Sequence, residues 1–164
     1  MIINMAVTKD NNYNMHIEKQ KITLTFPDGT KKFFSNGING EAIAESISKS
    51  LVKKAVAIKV NNIKRDLSDC IYADADIKIL TVEDQEGLEI MRHTLTAQVL
   101  ARALKKLFPS SKLAIGPVIE NGFYYDFMYT HPISSDDLPS IEKEMKSIIN
   151  EGRGIQKVLK SKKE

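Results

Sequence analysis

The sequence predicts an α+β protein made of two small successive units, and three observations carry that reading. Between residues 21 and 82 apolar and polar residues alternate in short runs, interrupted by one stretch of helical period. From Leu88 to Leu107 apolar residues recur at three- and four-residue steps, the spacing of one helix face. After Phe108-Pro109-Ser110-Ser111 the period drops back to two, around Pro117 and the turn-forming pair Asn121-Gly122.

In chain order, residues 1–20 are rich in asparagine, show no apolar period and read as a disordered leader. Met15 is an alternative start, because patterned sequence begins just after it. Ile22, Leu24 and Phe26 then alternate with Thr23 and Thr25, the signature of a half-buried strand. Pro27-Asp28-Gly29-Thr30 supplies a tight turn, and Lys31 to Phe34 returns as the second strand of a hairpin. After Asn36-Gly37 a helix is expected from about Gly40 to Lys53, with Ile43, Ile47 and Leu51 on its inner face. Ala55 to Val60 is a strand, Asn61-Asn62 turns into Ile63-Lys64-Arg65, a connector spans Asp69 to Ala73, and Ile77 to Val82 is the last strand. This order fits a β-grasp fold, and the boundary falls near Val82.

Asp84 is placed to cap the next helix, with Gln85 and Glu86 in its first turn. Gly87 disfavours helix, so the regular part is expected to begin after it. Leu88, Met91, Leu95, Val99, Ala103 and Leu107 form the predicted buried stripe, with Arg102, Lys105 and Lys106 turned outward. Pro109 ends the helix, and KLAIG and GFYYDF are short β-prone runs. A final helix is capped by Ser134 or Ser135 and carries Asp136 and Asp137 in its first turn, with Pro139 early. Its stripe is Leu138, Ile141, Met145, Ile148 and Ile149, and Gly152 stops it. The division is therefore a leader at 1–20, a β-grasp unit at 21–82, a second unit at 83–152 and a basic tail at 153–164.

Composition excludes more than it identifies. An apolar content of 42% and a charged content of 27% are those of an ordinary soluble domain. No apolar run reaches membrane-spanning length, and residues 1–20 lack a signal-peptide centre, so a membrane is not expected. Cys70 stands alone, which fits a reducing cytoplasm and a small, half-buried apolar role. The net charge of +3 belongs to the tail, which holds five basic residues against Glu164; the other 152 residues sum to −1. Such a tail reads first as solvated. His16, His93 and His131 offer no metal-ligand spacing beside one distant cysteine, so no metal site is expected.

The segment AIGPVIENGFYYDF, preceded by Arg92-His93 and a helix ending in Leu107-Phe108-Pro109, resembles the second N-terminal domain of the threonyl-tRNA synthetases. The likeness runs from about Lys21 to Gly152. Over 21–82 it is similar to the TGS domain, a ubiquitin-like β-grasp module shared with some GTPases and the stringent-response synthetase–hydrolases. The resemblance implies that residues 83–152 are part of an α/β editing-type domain, which in the family removes serine wrongly attached to threonine tRNA. It also implies that the family's later cysteine–histidine pair and aminoacylation core, with its ATP and zinc, lie outside this chain. The chain is thus expected to be an N-terminal fragment of a threonine–tRNA ligase, with no cofactor of its own, in contact with tRNA and in the cytoplasm. The sequence does not indicate its oligomeric state.

Carried onto this sequence, the resemblance places His93 at the first of two editing-site histidines that stand four residues apart in the family. The residue four on is Ala97; counted back from Leu107-Phe108-Pro109, Gln98 falls where the second histidine belongs, and the helix is one residue longer. Gln98 can hydrogen-bond a water but accepts no proton at neutral pH, so the site is expected to be vestigial. An extra residue turns everything after it by about 100° unless a π-bulge absorbs it. Tyr125 and Asp126 match pocket-lining positions, with core packing as the alternative. Lys31 and Lys32, with Lys53 and Lys54, are the candidate RNA contacts. Glu41, Glu45, Asp66, Asp69, Asp74 and Asp76 lie near them in sequence, so a solvated mixed-charge surface is the competing account. A free-standing TGS RNA- or ligand-binding module is the alternative function, and a freestanding editing hydrolase a third.

Overall fold

The computed structural model describes residues 21–129, 132–155, 157, 158 and 160–162. The leader, with Met15 and His16, and His131 lie outside the described residues.

Strand β1 (Lys21–Thr25) turns through Gly29, whose φ of +81° suits glycine, into β2 (Lys31–Ser35), with Phe33 opposite Thr23. The Phe26 amide donates to the Thr30 carbonyl, and the Asp28 carboxylate accepts from the Thr30 amide, closing the turn. β3 (Ile38–Asn39) leads into α1 (Gly40–Ile47), where Asn39 Oδ1 accepts from the Ala42 amide. One continuous helix to Lys53 was expected; instead Ser48 takes an extended conformation, ends α1 and caps α2 (Lys49–Lys54) by accepting from the Leu51 amide. Ile43 is therefore buried, while Ile47 is exposed and Leu51 half-buried.

β4 (Ala55–Val60) turns at Asn61-Asn62, both at positive φ, into β5 (Ile63–Arg65). β6 (Cys70–Ile71) lies within the expected connector and pairs with β3, leaving Cys70 half-buried. β7 (Ala75–Thr81) completes a five-stranded sheet of order β2-β1-β7-β4-β5, parallel only between β1 and β7. Ile22, Leu24, Ile43, Ile58, Val60, Ile71, Ala75 and Ile77 form its core on the α1 side. Strand alternation directs Thr23, Thr25, Ala57, Lys59, Asp76, Lys78 and Leu80 to the opposite face.

Helix α3 (Gln85–Thr94) lies on that opposite face, and Ala57 and Leu80 are buried. Its approach is set by Gly87: a Cβ there would overlap the Thr81 carbonyl and crowd Val56. The expectation that Gly87 delays the helix is corrected, because helix begins at Gln85 and the glycine is what lets it dock. Asp84 stands at the N-cap position without a capping side-chain bond. Its carboxylate turns back instead, accepting from the Thr81 amide at 2.9 Å and from Lys78 Nζ at 2.7 Å. Both hold Asp84 below the usual carboxylate range, the lysine foremost.

A π-helical segment (Leu95–Leu100) joins α3 to α4 (Ala101–Leu107). The wide turn shifts the buried face: Thr96, Ala101, Ala103 and Leu104 are buried, whereas Leu95, Val99 and Leu107 are only half-buried. Lys105 Nζ closes the helix end by donating to the Pro109 and Ser111 carbonyls.

Strands β8 (Lys112–Leu113), β9 (Val118–Ile119), β10 (Gly122–Phe123) and β11 (Phe127–Met128) make one irregular hairpin, β8 with β11 and β9 with β10. Bonds from Ala114, Tyr124 and Asp126 amides connect the two ladders. Gly122 is already paired with Ile119, so the turn is Glu120-Asn121, one residue earlier than the sequence pattern indicates. Ser134 and Asp137 form a capping box over a 3-10 turn (Ser135–Asp137), and α5 (Leu138–Asn150) follows with Pro139 in its first turn. α5 packs on α4 and the π segment through Ile141 and Ile148; Leu138 and Ile149 of the expected stripe are exposed.

Candidate functional site

The second unit's site is a helix with a hairpin laid along it. Arg92, in the last turn of α3, fixes the hairpin tip: its guanidinium donates to the Glu120 carbonyl at 2.5 Å and the Ile119 carbonyl at 3.4 Å. Between them lies a cleft of about 640 Å³ whose walls include Glu83, Leu88, Glu89, Val118 and Ile119. Further along, the hairpin bends at Gly116, where a Cβ would collide with the Tyr125 ring and the Thr96 methyl. Thr96 is fully buried, and its hydroxyl donates back to the Arg92 carbonyl at 2.8 Å, just where the helical ladder widens. Tyr125, Gly116 and Thr96 thus form one packed contact between hairpin and π segment.

The π segment bears directly on His93 and Gln98. A widened turn absorbs one extra residue, so Gln98 takes the place that a residue four after His93 holds in an unbroken α-helix. Both side chains are exposed. Gln98 lines a cleft of about 340 Å³ with Arg102, Ile148 and Ile149, on the α5 side. Tyr125 is half-buried against the helix, and Asp126 is exposed, with its backbone in the ladder to Ala114 and Ile115. Tyr125 and Asp126 therefore occupy different surroundings from Gln98. Among the described residues no three His, Cys, Asp or Glu side chains converge as metal ligands do.

In the first unit the four lysines do not share a face. Lys31 and Lys32 project to opposite sides of β2, and Lys32 Nζ sits 5.4 Å from the Phe26 ring centroid. Lys53 and Lys54 end α2, and Lys54 is paired with Glu83 at 2.7 Å. Other lysines, on the face covered by α3, are held by acids at the start of that helix: Lys59 and Lys64 by Glu86 in its first turn, Lys78 by Asp84 just before it.

The profile of the TGS domain family matches residues 21–81, the span of the five-stranded sheet. Along 141 residues, 86% of the chain, it is 50% identical to threonine–tRNA ligases of Brucella canis and Brucella abortus, and 49% identical to that of Allorhizobium ampelinum. The chain is homologous to the N-terminal region of threonine–tRNA ligases. It spans 21% of the length of these curated relatives. Gly116 and Arg92 both fall in or beside the segment that carries the resemblance, yet the sequence pattern assigns neither a role. The signal for Gly116 was a lone glycine between β-prone residues, where close backbone approach is common. Thr96 carried no signal, since a threonine on a helix is ordinarily unremarkable.

Proposed function

We propose that this chain acts as the tRNA-contacting N-terminal part of a threonine–tRNA ligase, in the cytoplasm, with α3 to α4 and the hairpin as one wall of an editing pocket. The observation that carries the reading is the 50% identity to these ligases over 86% of the chain, including the hairpin that Arg92 and Gly116 seat on the helix. Joining threonine to tRNA with ATP belongs, on this reading, to the parts of the relatives that the chain does not match. At the editing wall His93 is the one titratable side chain of the former pair, and Gln98 orients water without taking its proton. The chain alone therefore binds but does not deacylate.

The experiment is a titration of the full chain with threonine tRNA, followed by incubation with the serine-mischarged tRNA. Binding that weakens with salt, and serine release no faster than the buffer blank, are expected. Serine release that disappears on His93→Ala would overturn the vestigial site, and absence of any tRNA binding would overturn the contact. A free-standing binding module needs a coherent basic face, and Lys31, Lys32, Lys53 and Lys54 do not make one.

A further inference from the structure

The outer face of the five-stranded sheet is only half covered. Over β4 and β7, α3 buries Ala57 and Leu80 and neutralises Lys59, Lys64 and Lys78 with Glu86 and Asp84. Over β1 and β2 nothing lies on the sheet among the described residues. There Phe33 stands 72% exposed, with Thr23 directly across the ladder. Lys31 is two residues before it on the same side of β2, and Lys21, opposite Ser35, lies diagonally across. Neither lysine is paired with a carboxylate among the described residues. Strands β1 and β2 together carry three lysines and no acidic residue. Beside them a hollow of about 320 Å³ is lined by Thr23, Thr25, Lys31, Asn61, Asp74, Ala75 and Asp76, a set of donors and acceptors in which the Asp74 carboxylate is already engaged by the Thr23 amide.

We propose that this end of the sheet binds an unpaired nucleotide of single-stranded RNA, with the base stacked on Phe33 and the flanking phosphates on Lys21 and Lys31. An exposed ring on an open sheet face, flanked by lysines with no carboxylate partner among the described residues, is how sheets present stacking platforms to unpaired bases. Thr23, Thr25 and Asp76, which line the hollow, bring hydroxyl and carboxylate groups that can meet a base edge and its amino group. A protein partner fits less well: around Phe33 the face offers Lys, Thr and Ser, not a contiguous apolar patch. A duplex fits less well too, because its bases are already stacked. The proposal rests on the RNA-contact reading above and names the form of RNA and the face that receives it.

The test uses the full chain and fluorescence anisotropy with a labelled single-stranded oligoadenylate, a blunt RNA duplex and threonine tRNA. The single strand is expected to bind more tightly than the duplex. Phe33→Ala weakens it by about tenfold, the loss expected of one stacked base, while Phe33→Tyr retains it. Lys31→Ala lowers the slope of log affinity against log salt by about one. Because Phe33 supports no core contact, a melting curve confirms that its variants fold. Equal affinity of wild type and Phe33→Ala for the single strand, or equal affinity of the wild type for strand and duplex, overturns the proposal. If tRNA still binds in those cases, the RNA-contact reading survives; if wild type binds neither strand nor tRNA, both fall.

Discussion

Gly87→Ala is the most discriminating perturbation, because two principles give it opposite signs. In an exposed helix alanine is favoured over glycine by roughly 0.8–1.0 kcal/mol, so propensity alone predicts a more stable protein. In this structure the new methyl would overlap the Thr81 carbonyl oxygen and crowd the Val56 side chain. The Thr81 oxygen is a backbone atom that cannot rotate aside, so the strain sits toward the upper end of the roughly 1–3 kcal/mol typical of overpacking. If α3 lifts to relieve it, Leu80 loses its cover, and exposing a buried leucine costs about 1.5–3 kcal/mol. The net expectation is a loss of about 1–2 kcal/mol, or about 2–8 °C in melting temperature for a chain of this size. Urea and thermal unfolding of the full chain measure it, with faster hydrogen exchange at the Leu80 amide as the local readout. Gly154→Ala serves as the control, since nothing lies within 4 Å of a Cβ there. A Gly87→Ala protein as stable as wild type, or more stable, would refute the close approach of α3 to β7.

Three further outcomes follow from the same geometry. Asp84 is held below the ordinary carboxylate range by Lys78 and the Thr81 amide, so its contribution is present above about pH 4 and lost as pH falls through its depressed value. Asp84→Asn should lower stability at neutral pH and flatten the acid limb of the stability curve; an unchanged limb counts against the linkage. Arg92→Ala should free the hairpin tip and speed exchange of the Tyr124 amide about fivefold, ~1 kcal/mol for an exposed charged hydrogen bond, without altering exchange in the β1–β7 sheet. Residues 21–82 alone should unfold cooperatively, since the whole core cluster from Ile22 to Ile77 lies inside them, and residues 21–95 should be more stable because α3 again covers Ala57 and Leu80. A broad, noncooperative melt of 21–82 would show that the sheet needs the second unit.

What could be read from the sequence was whatever repeats. The alternation Ile22, Leu24, Phe26 and the paired positive-φ turn Asn61-Asn62 each have a local physical cause, and both strands and turn stand where the pattern puts them. The elements that escaped are those decided by partners. β3 and β6 are two residues each, too short for any period, and exist because Ile38 and Asn39 meet Ile71 and Cys70 across thirty residues of chain. Ser48 breaks a helix whose apolar spacing runs through it unchanged, because its hydroxyl offers the Leu51 amide a cap that competes with continuation. Gly87 reads as a weak helix residue until Thr81 is placed against it.

The π segment ties the fold to the site. If, as the resemblance implies, the stretch from Arg92-His93 to Leu107-Phe108-Pro109 carries one more residue than in the synthetases, two outcomes are open: rotate α4 by about 100°, or widen one turn. Rotation would carry Ala103 and Leu104 out of the interior, and both are fully buried. Thr96 shows the other outcome, buried and bonded to the Arg92 carbonyl at the start of the wide turn, with Gly116 and Tyr125 packed over it. Packing downstream thus fixes where the surplus residue goes, and it goes between His93 and Gln98. The wide turn therefore leaves the register of the helix intact, and on the reading proposed above the absence of editing chemistry rests on the identity of residue 98. Gln98→His is the substitution that tests that reading: it introduces a proton acceptor at position 98 while leaving the wide turn in place.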